Sequence, residues 1–442
     1  MSFFQLQQLH YNNHFIENIN PTFTFTQSSE IDNKPNVSPP FVINKSLCKY
    51  IAFVKEQIDT RQNEWDKYKK YTNAYEYIHT IIPNTKVAVS TYKPLSRSFY
   101  KMIEICRMLY LVEALPPICT TFHLAEGPGG FIEAMAYMRR GAATADGLVD
   151  TYYGMTLIDD DMNVPGWRKS KYFLSNNPNV VIEKGIDGRG DLMNPDNLKY
   201  CFMKYAGTMD LVTGDGGFDF SNDFNTQETV SSKLIMCQIA FAIAIQKQGG
   251  NFIIKFFDTF TKFSLDLLFL LSTIYERVYF IKPNTSRQAN SEKYVVCKGF
   301  RLASTEDLVK KFHKILIQMS DKTIVSLFNF ELPYIFINKV EEINAIFGQQ
   351  QIENIVSTLN LIDSTSNAKY DKVETMKKMN IQKCITWCQK YNLAYNKFIP
   401  TSNLFLSARM NVADSPLFTP LFTPLFTKSV AKSGVNSGVK VG

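Results

Sequence analysis

FHLAEGPGGFIEAMAYMRR, residues 122–140, is the stretch that decides the fold. An apolar run closes on Ala125 and Glu126, three glycines and a proline follow within four residues, and an amphipathic helix pattern then begins: strand, tight loop, helix. Glycine suits backbone that a ligand approaches closely or that needs positive φ, and the loop amides lie at the positive end of the following helix. The spacing E-G-P-G-G-F lacks the G-x-G-x-x-G of dinucleotide folds, and no G-K-[ST] follows for a nucleoside triphosphate. Taken alone, the loop reads equally as a cofactor cradle and as an ordinary glycine-rich turn.

Further strand patterns follow at 152–158 (YYGMTLI), 179–185 (NVVIEKG), 209–217 (MDLVTGDGG), 249–257 (GGNFIIKFF), 276–282 (ERVYFIK) and 293–299 (KYVVCKG). Long helix patterns run over 226–248 and 261–275. Strands alternating with helices predict an α/β fold: a Rossmann-like, seven-stranded, mostly parallel sheet with helices on both faces. Ligands of such sheets lie at the carboxyl ends of the strands, which singles out Asp215 and Lys255, and Glu292 stands at the start of the seventh strand. Lys101 sits within the helix pattern at 96–115 that precedes the first strand.

The chain has 442 residues, 45% of them hydrophobic and 20% charged, with a formal net charge of +7. That balance describes a globular protein with a large core, and its charge permits nucleic acid as a partner without requiring it. Apolar runs fall short of the roughly 18 residues of a membrane span, so no membrane is expected, and the N-terminus lacks the marks of a secretory leader. The eight cysteines read as buried free thiols of an intracellular, reducing compartment, the cytoplasm ahead of the nucleus. Cys384 and Cys388 lie one helical turn apart with no second ligand pair behind them, so no metal is expected.

Residues 1–45 read as an extended arm, 46–93 as a helical segment, 94–302 as the sheet domain, 303–400 as a helical extension and 401–442 as a disordered tail with three P-L-F-T repeats. In the second segment Lys67, Lys69 and Lys70 stand beside Trp65, Tyr68 and Tyr71. Such interleaving suits a capped or single-stranded nucleic acid, and it suits a wet lysine face on an amphipathic helix equally well.

Lys101, Asp215, Lys255 and Glu292 come from one helix and three strand ends. Two lysines and two carboxylates suit removal of a proton from a sugar hydroxyl, provided the lysine that acts as base is buried beside another cation. The alternative is four surface charges that never meet.

At this point the sequence resembles a family. L-S-R-S-F-Y-K at 95–101, A-E-G-P-G-G-F at 125–131, G-M-T-L at 154–157, G-I-D-G-R-G-D at 185–191, D-G-G-F at 215–218, F-I-I-K-F-F-D at 252–258 and K-P-N-T-S-R-Q-A-N-S-E-K-Y-V-V-C-K-G at 282–299 are similar to the FtsJ-type RNA ribose 2′-O-methyltransferases. Within that group they are most similar to the cap-specific mRNA enzymes that make cap 1. The resemblance implies a K-D-K-E tetrad of Lys101, Asp215, Lys255 and Glu292 with Lys255 as base. It implies S-adenosylmethionine on Ala125, Glu126, Gly127, Pro128, Gly129, Gly130 and Phe131, reached by Ser96, Asp191 and Leu192, with either Asp159 or Asp160 on the cofactor ribose. Lys69, Asn225 and Asn290 would touch capped mRNA. Other capping or transcription proteins are further partners in this reading, and no metal is required. Glu126 departs from the small residue common in the group, and T-N-A-Y-E at 72–76 departs from its N-P-Y-E. The WW and G-patch modules of cellular relatives do not occur, which points to a compact viral or protist member, acting in a viral factory or virion. Ribosomal or transfer RNA as substrate, and a catalytically silent RNA-binding subunit, are the alternatives.

Overall fold

The structure, a computed structural model, describes residues 2–9, 14–25, 41–141, 147–217, 226–319 and 322–396. Asn225, Phe218 of the D-G-G-F motif and the P-L-F-T repeats lie outside them. In chain order the elements are β1 (Ser2–Gln5), α1 (His14–Glu17), β2 (Ile19–Phe25), α2 (Lys45–Asp59), α3 (Gln62–Thr72), α4 (Ser98–Met108), β3 (Thr120–Leu124), α5 (Gly130–Met138), β4 (Thr151–Met155), α6 (Lys171–Asn176) and β5 (Val180–Ile182). They continue with α7 (Pro195–Tyr205), β6 (Met209–Gly214), α8 (Gln227–Ile245), β7 (Gln246–Phe256), α9 (Lys262–Ile274), β8 (Tyr275–Lys282), β9 (Lys293–Phe300), α10 (Glu306–Gln318), β10 (Lys322–Phe328), α11 (Tyr334–Asp363) and α12 (Ser366–Lys390).

The main sheet runs β1-β8-β9-β7-β6-β3-β4-β5. From β5 to β7 its strands are parallel, and β9, β8 and β1 then add antiparallel pairs. All seven expected strands are present. The eighth, β1, comes from the arm, which therefore holds more than extended chain: β2 also pairs with β10 in a second, two-stranded sheet. Four and seven residues paired to strands some 300 positions away leave no local period to detect. The same holds for β10, which interrupts a region whose pattern is otherwise helical.

Side chains alternate across the central strands. Phe252, Ile254 and Phe256 of β7 belong to the core under α8 and α9, whereas Ile253 faces the core built with α4, α5 and α12. Lys255, two residues beyond Ile253, therefore points to the α4 side. α8 is apolar and long enough by composition to cross a membrane, and it is 83% buried within the domain instead. The helical segment expected over 46–93 is in fact divided: α2 stops at Asp59, and Asn73 ends α3 in extended backbone.

Candidate active site

The strand order turns between β3 and β6: β4 and β5 extend the sheet to one side, β7 to the other. At such a point the loops leaving the two strands diverge and open a crevice. Ala125, with φ of 51°, and Asp215, whose amide donates to the Leu124 carbonyl at 3.3 Å, stand at its floor.

Four charged groups meet there. Lys101 Nζ lies 2.7 Å from Glu292 Oε1 and 2.9 Å from Oε2. Lys255 Nζ donates to the Asp215 carbonyl oxygen at 2.8 Å and lies 3.2 Å from its Oδ1. Tyr294, the strand partner of Lys255, donates its hydroxyl to the same Oδ1 at 2.9 Å, and Lys101 Nζ lies 5.8 Å from the centre of its ring. Ser286 Oγ donates to Glu292 Oε1 at 2.7 Å. Burial alone would raise the Glu292 carboxyl, but the Lys101 and Lys255 ammoniums outweigh it and hold the group well below the usual carboxylate range.

The crevice widens into a cavity of about 1050 Å³. Asp215, Lys255 and Glu292 line it, while Lys101 reaches it only through Glu292. One end is walled by Ser96, Ala125, Glu126, Gly127, Asp191 and Leu192, six of the twelve residues expected at a cofactor. The other six stand elsewhere. Pro128, Gly129, Gly130 and Phe131 turn into α5 behind the wall, and Phe131 is fully buried 5.9 Å from the Tyr294 ring. Gly129 has φ of 101°, and an added Cβ would meet the Trp167 ring at 3.1 Å, so that glycine serves the entry into α5 and not ligand approach.

Asp159 pairs with Arg189 and accepts the Asp161 amide, while Asp160 is exposed; neither lines the cavity. Beyond β4 the chain instead presents Thr156, Leu157, Asn163, Val164 and Pro165. Glu126 also departs from expectation. Its Oε1 accepts the amides of Phe131 at 2.7 Å and Ile132 at 2.9 Å, so this carboxylate, not a ligand, takes the positive end of α5. Its Oε2 accepts Thr213 Oγ1 at 3.2 Å beside His123, a buried network invisible in the sequence.

The opposite end holds Lys69, Trp65 and Asn290 together with Asn73, Arg97, Arg287, Gln351 and Asn354. Lys69 is paired with Asp66 at 2.5 Å. Tyr68 and Tyr71 pack on each other with ring centres 6.2 Å apart, and Tyr68 lies under Lys67 and Lys369, so of the expected aromatics only Trp65 faces the cavity.

Three anchors of this end were not foreseen. Glu76, almost wholly buried, accepts Arg97 Nη1 at 2.8 Å, Arg287 Nη2 at 2.8 Å and Nε at 3.1 Å, and Thr80 Oγ1 at 2.9 Å. Burial opposes the Glu76 charge, and the two guanidiniums override it, holding the carboxyl far below its ordinary range. Glu104, fully buried, accepts the amides of Asn284 and Thr285 at 3.0 and 3.1 Å. Lys282 donates to the carbonyls of Asn290 at 2.5 Å and Glu292 at 2.7 Å; burial pulls its amine down to about 7. Together they fix the 283–292 loop that carries Arg287, Asn290 and Glu292. Arg97 and Arg287 lie inside the quoted motifs, but nothing in those motifs names Glu76 as their shared partner.

The chamber fits S-adenosylmethionine at its first end. Leu157, Leu192 and Leu234 offer apolar walls for a base, Thr156 and Asp191 offer polar groups, and Gly217 leaves room where a Cβ would lie 3.1 Å from Lys255 Nζ. Among the described residues no group of three or more His, Cys, Asp or Glu is arranged to hold a metal ion. Cys384 and Cys388 are both buried and free.

A Rossmann-like, mostly parallel α/β sheet with its crevice at the strand-order switch is thus the class of domain present. Residues 94–300 match the model of the FtsJ-like methyltransferase family. It is 37% identical over 190 residues to the cap-specific mRNA (nucleoside-2′-O-)-methyltransferase 1 of Danio rerio, covering 40% of this chain and 21% of that protein. To the Mus musculus protein of the same name it is 33% identical over 229 residues, covering 49% of this chain and 26% of the relative. The matched stretch thus spans about a quarter or less of those relatives. A protein solved as a ribosomal RNA methyltransferase from Plasmodium falciparum is 19% identical with a TM-score of 0.33, covering 47% of this chain and 98% of its own.

Proposed function

We propose that this chain methylates the ribose 2′-hydroxyl of the first transcribed nucleotide of capped mRNA, converting cap 0 to cap 1. One observation carries the reading: Asp215, Lys255 and Glu292, the last paired with Lys101, line a single cavity together with Ser96, Asp191 and Leu192 and with Lys69 and Asn290. When bound, S-adenosylmethionine supplies an electrophilic methyl group.

Lys255 Nζ takes the proton of the 2′-hydroxyl, and Asp215 and Tyr294 fix where that nitrogen sits. Lys101, which reaches the cavity through Glu292, adds a positive charge behind the cluster that offsets the alkoxide character developing as the proton leaves. The partly buried cavity keeps water from competing for the base. At the other end Trp65 is 5% exposed and packed in the core, so it offers no open ring face, and the polar side chains of Lys69 and Asn290 are the groups available to the capped end. The resemblance of the matched region to enzymes named for cap-specific mRNA supports the capped end over an internal nucleotide.

The test is methyl transfer from labelled cofactor to matched capped and uncapped short RNAs, with the product mapped. Label confined to the first nucleotide of the capped RNA is expected. Equal label on uncapped RNA, or label at internal positions, would replace this reading with ribosomal or transfer RNA modification, and no transfer at all with a silent RNA-binding subunit.

A further inference from the structure

The geometry points to a phosphate site on the cavity wall, built by Arg97 and Arg287 on the single carboxylate of Glu76. It rests on the capped-RNA reading above and adds to it where the anionic part of that RNA would sit.

Glu76 is 2% exposed, and both guanidiniums dock on it: Arg97 through Nη1, Arg287 through Nη2 and Nε. Arg97 Nη2 also donates to the Thr285 carbonyl at 3.0 Å. Two cations on one carboxylate leave one net positive charge. The carboxylate lies buried behind, while the arginine side chains are 22% and 36% exposed and both line the cavity. An arginine has five donor hydrogens in a rigid fork, so each keeps donors beyond those Glu76 takes. A guanidinium fixed by a carboxylate behind it loses less side-chain freedom on binding than a free surface lysine, and its planar edge suits two oxygens of one phosphate.

Position narrows the ligand. Arg97 lies about one helical turn before Lys101, and the charges of Glu292 and of Asp66, the partner of Lys69, both act on Arg287, so the pair stands beside the reacting centre on the Lys69 side of the chamber. Other charges on that wall are already matched: Lys69 with Asp66, and Lys55 with Asp258 at 3.1 Å. The ligand is therefore a phosphate adjoining the reacting nucleotide, either in the polyphosphate bridge of the cap or in the first phosphodiester downstream.

The experiment measures binding of three probes to the full chain loaded with S-adenosylhomocysteine: a capped dinucleotide, a capped decamer and the same decamer with a 5′-hydroxyl. Arg287→Gln leaves Arg97, Asn73 and Thr80 on Glu76, so folding is expected to survive, and thermal melting and cofactor titration check this. The expected result is a loss of about tenfold in capped-decamer affinity, with a salt slope smaller by about one. Arg287→Lys, which keeps the charge and loses the fork, should restore the slope and part of the affinity. A loss seen with the capped dinucleotide assigns the bridge, and a loss seen only with the decamers assigns the phosphodiester. Unchanged affinity for all three probes overturns the site. So does a fall in melting temperature and cofactor affinity matching the fall in RNA affinity, because the clamp would then only hold the fold. Methyl transfer by the parent chain on the capped decamer reports separately on the capped-RNA reading.

Discussion

Lys101 and Glu292, 191 positions apart in the chain, meet at 2.7 Å where the amino end of α4 crosses the start of β9. Their contact, together with Lys255 on Asp215, gathers two lysines and two carboxyl groups into one cluster on the crevice floor.

Lys255→Ala removes the amine proposed as base and leaves the cofactor end intact. Turnover should fall by about 10²–10⁴-fold with cofactor affinity nearly unchanged. Single-turnover transfer of labelled methyl, set beside a calorimetric titration of the cofactor, measures both. A fall of less than about threefold would remove Lys255 from that role.

Gly129→Val addresses the α5 entry. A side chain at φ of 101° is strained, and its Cβ would press on the Trp167 ring at 3.1 Å. Strain of this kind costs about 1–3 kcal/mol. The variant should therefore melt several degrees lower and bind cofactor more weakly, because the wall at 125–127 is displaced along with the helix. Weaker binding with an unchanged melting curve would mean that position 129 touches the cofactor directly.

Much of this was legible in the sequence, and the limits have physical causes. The loop at 125–131 and the seven strand patterns follow from local periodicity and glycine placement, which fixed the sheet and therefore the strand ends carrying Asp215, Lys255 and Glu292. Asp159 and Asp160 lie outside the cavity lining, because sequence gives the position of a residue beyond a strand but not the direction the turn takes. Glu76, the last residue of T-N-A-Y-E, received no role because a buried carboxylate and a surface one look alike until their partners, here Arg97 and Arg287, are known.

Lys282 carries a pH signature. Its folded pKa of about 7 lies below the ordinary 10.5, so between those values the unfolded chain binds a proton that the folded chain does not. Stability contributed at this site therefore rises with pH across that window, and the full cost of burying the charge is present below it. Glu292, Lys293, Asp258 and Lys101 are the charged groups around it. Lys282→Met removes the dependence. The parent-minus-variant difference in denaturant stability should grow in favour of the parent from about pH 7 to about pH 10, and a flat difference would show an amine charged throughout.

Lys69→Glu and Asn290→Ala test the far wall. Lys69 already faces Asp66, so the exchange sets two acids side by side where RNA would pass. Both variants should weaken capped-RNA binding more than cofactor binding, and Lys69→Glu should also flatten the salt dependence. A lysine face that is merely solvated predicts no loss beyond a small shift in that slope.

β1 pairs with β8, Ser2 lying opposite Lys282, and β2 pairs with β10. Synthesis delivers these N-terminal strands first and their partners only after most of the sheet has been made. The earliest strand thus completes the fold last, closing a seam of high contact order and therefore slow formation. Until then the edge of β8 is open to the same four residues of another copy, so exchange of this short strand between molecules is the misassembly to which the topology is most exposed during folding at high concentration.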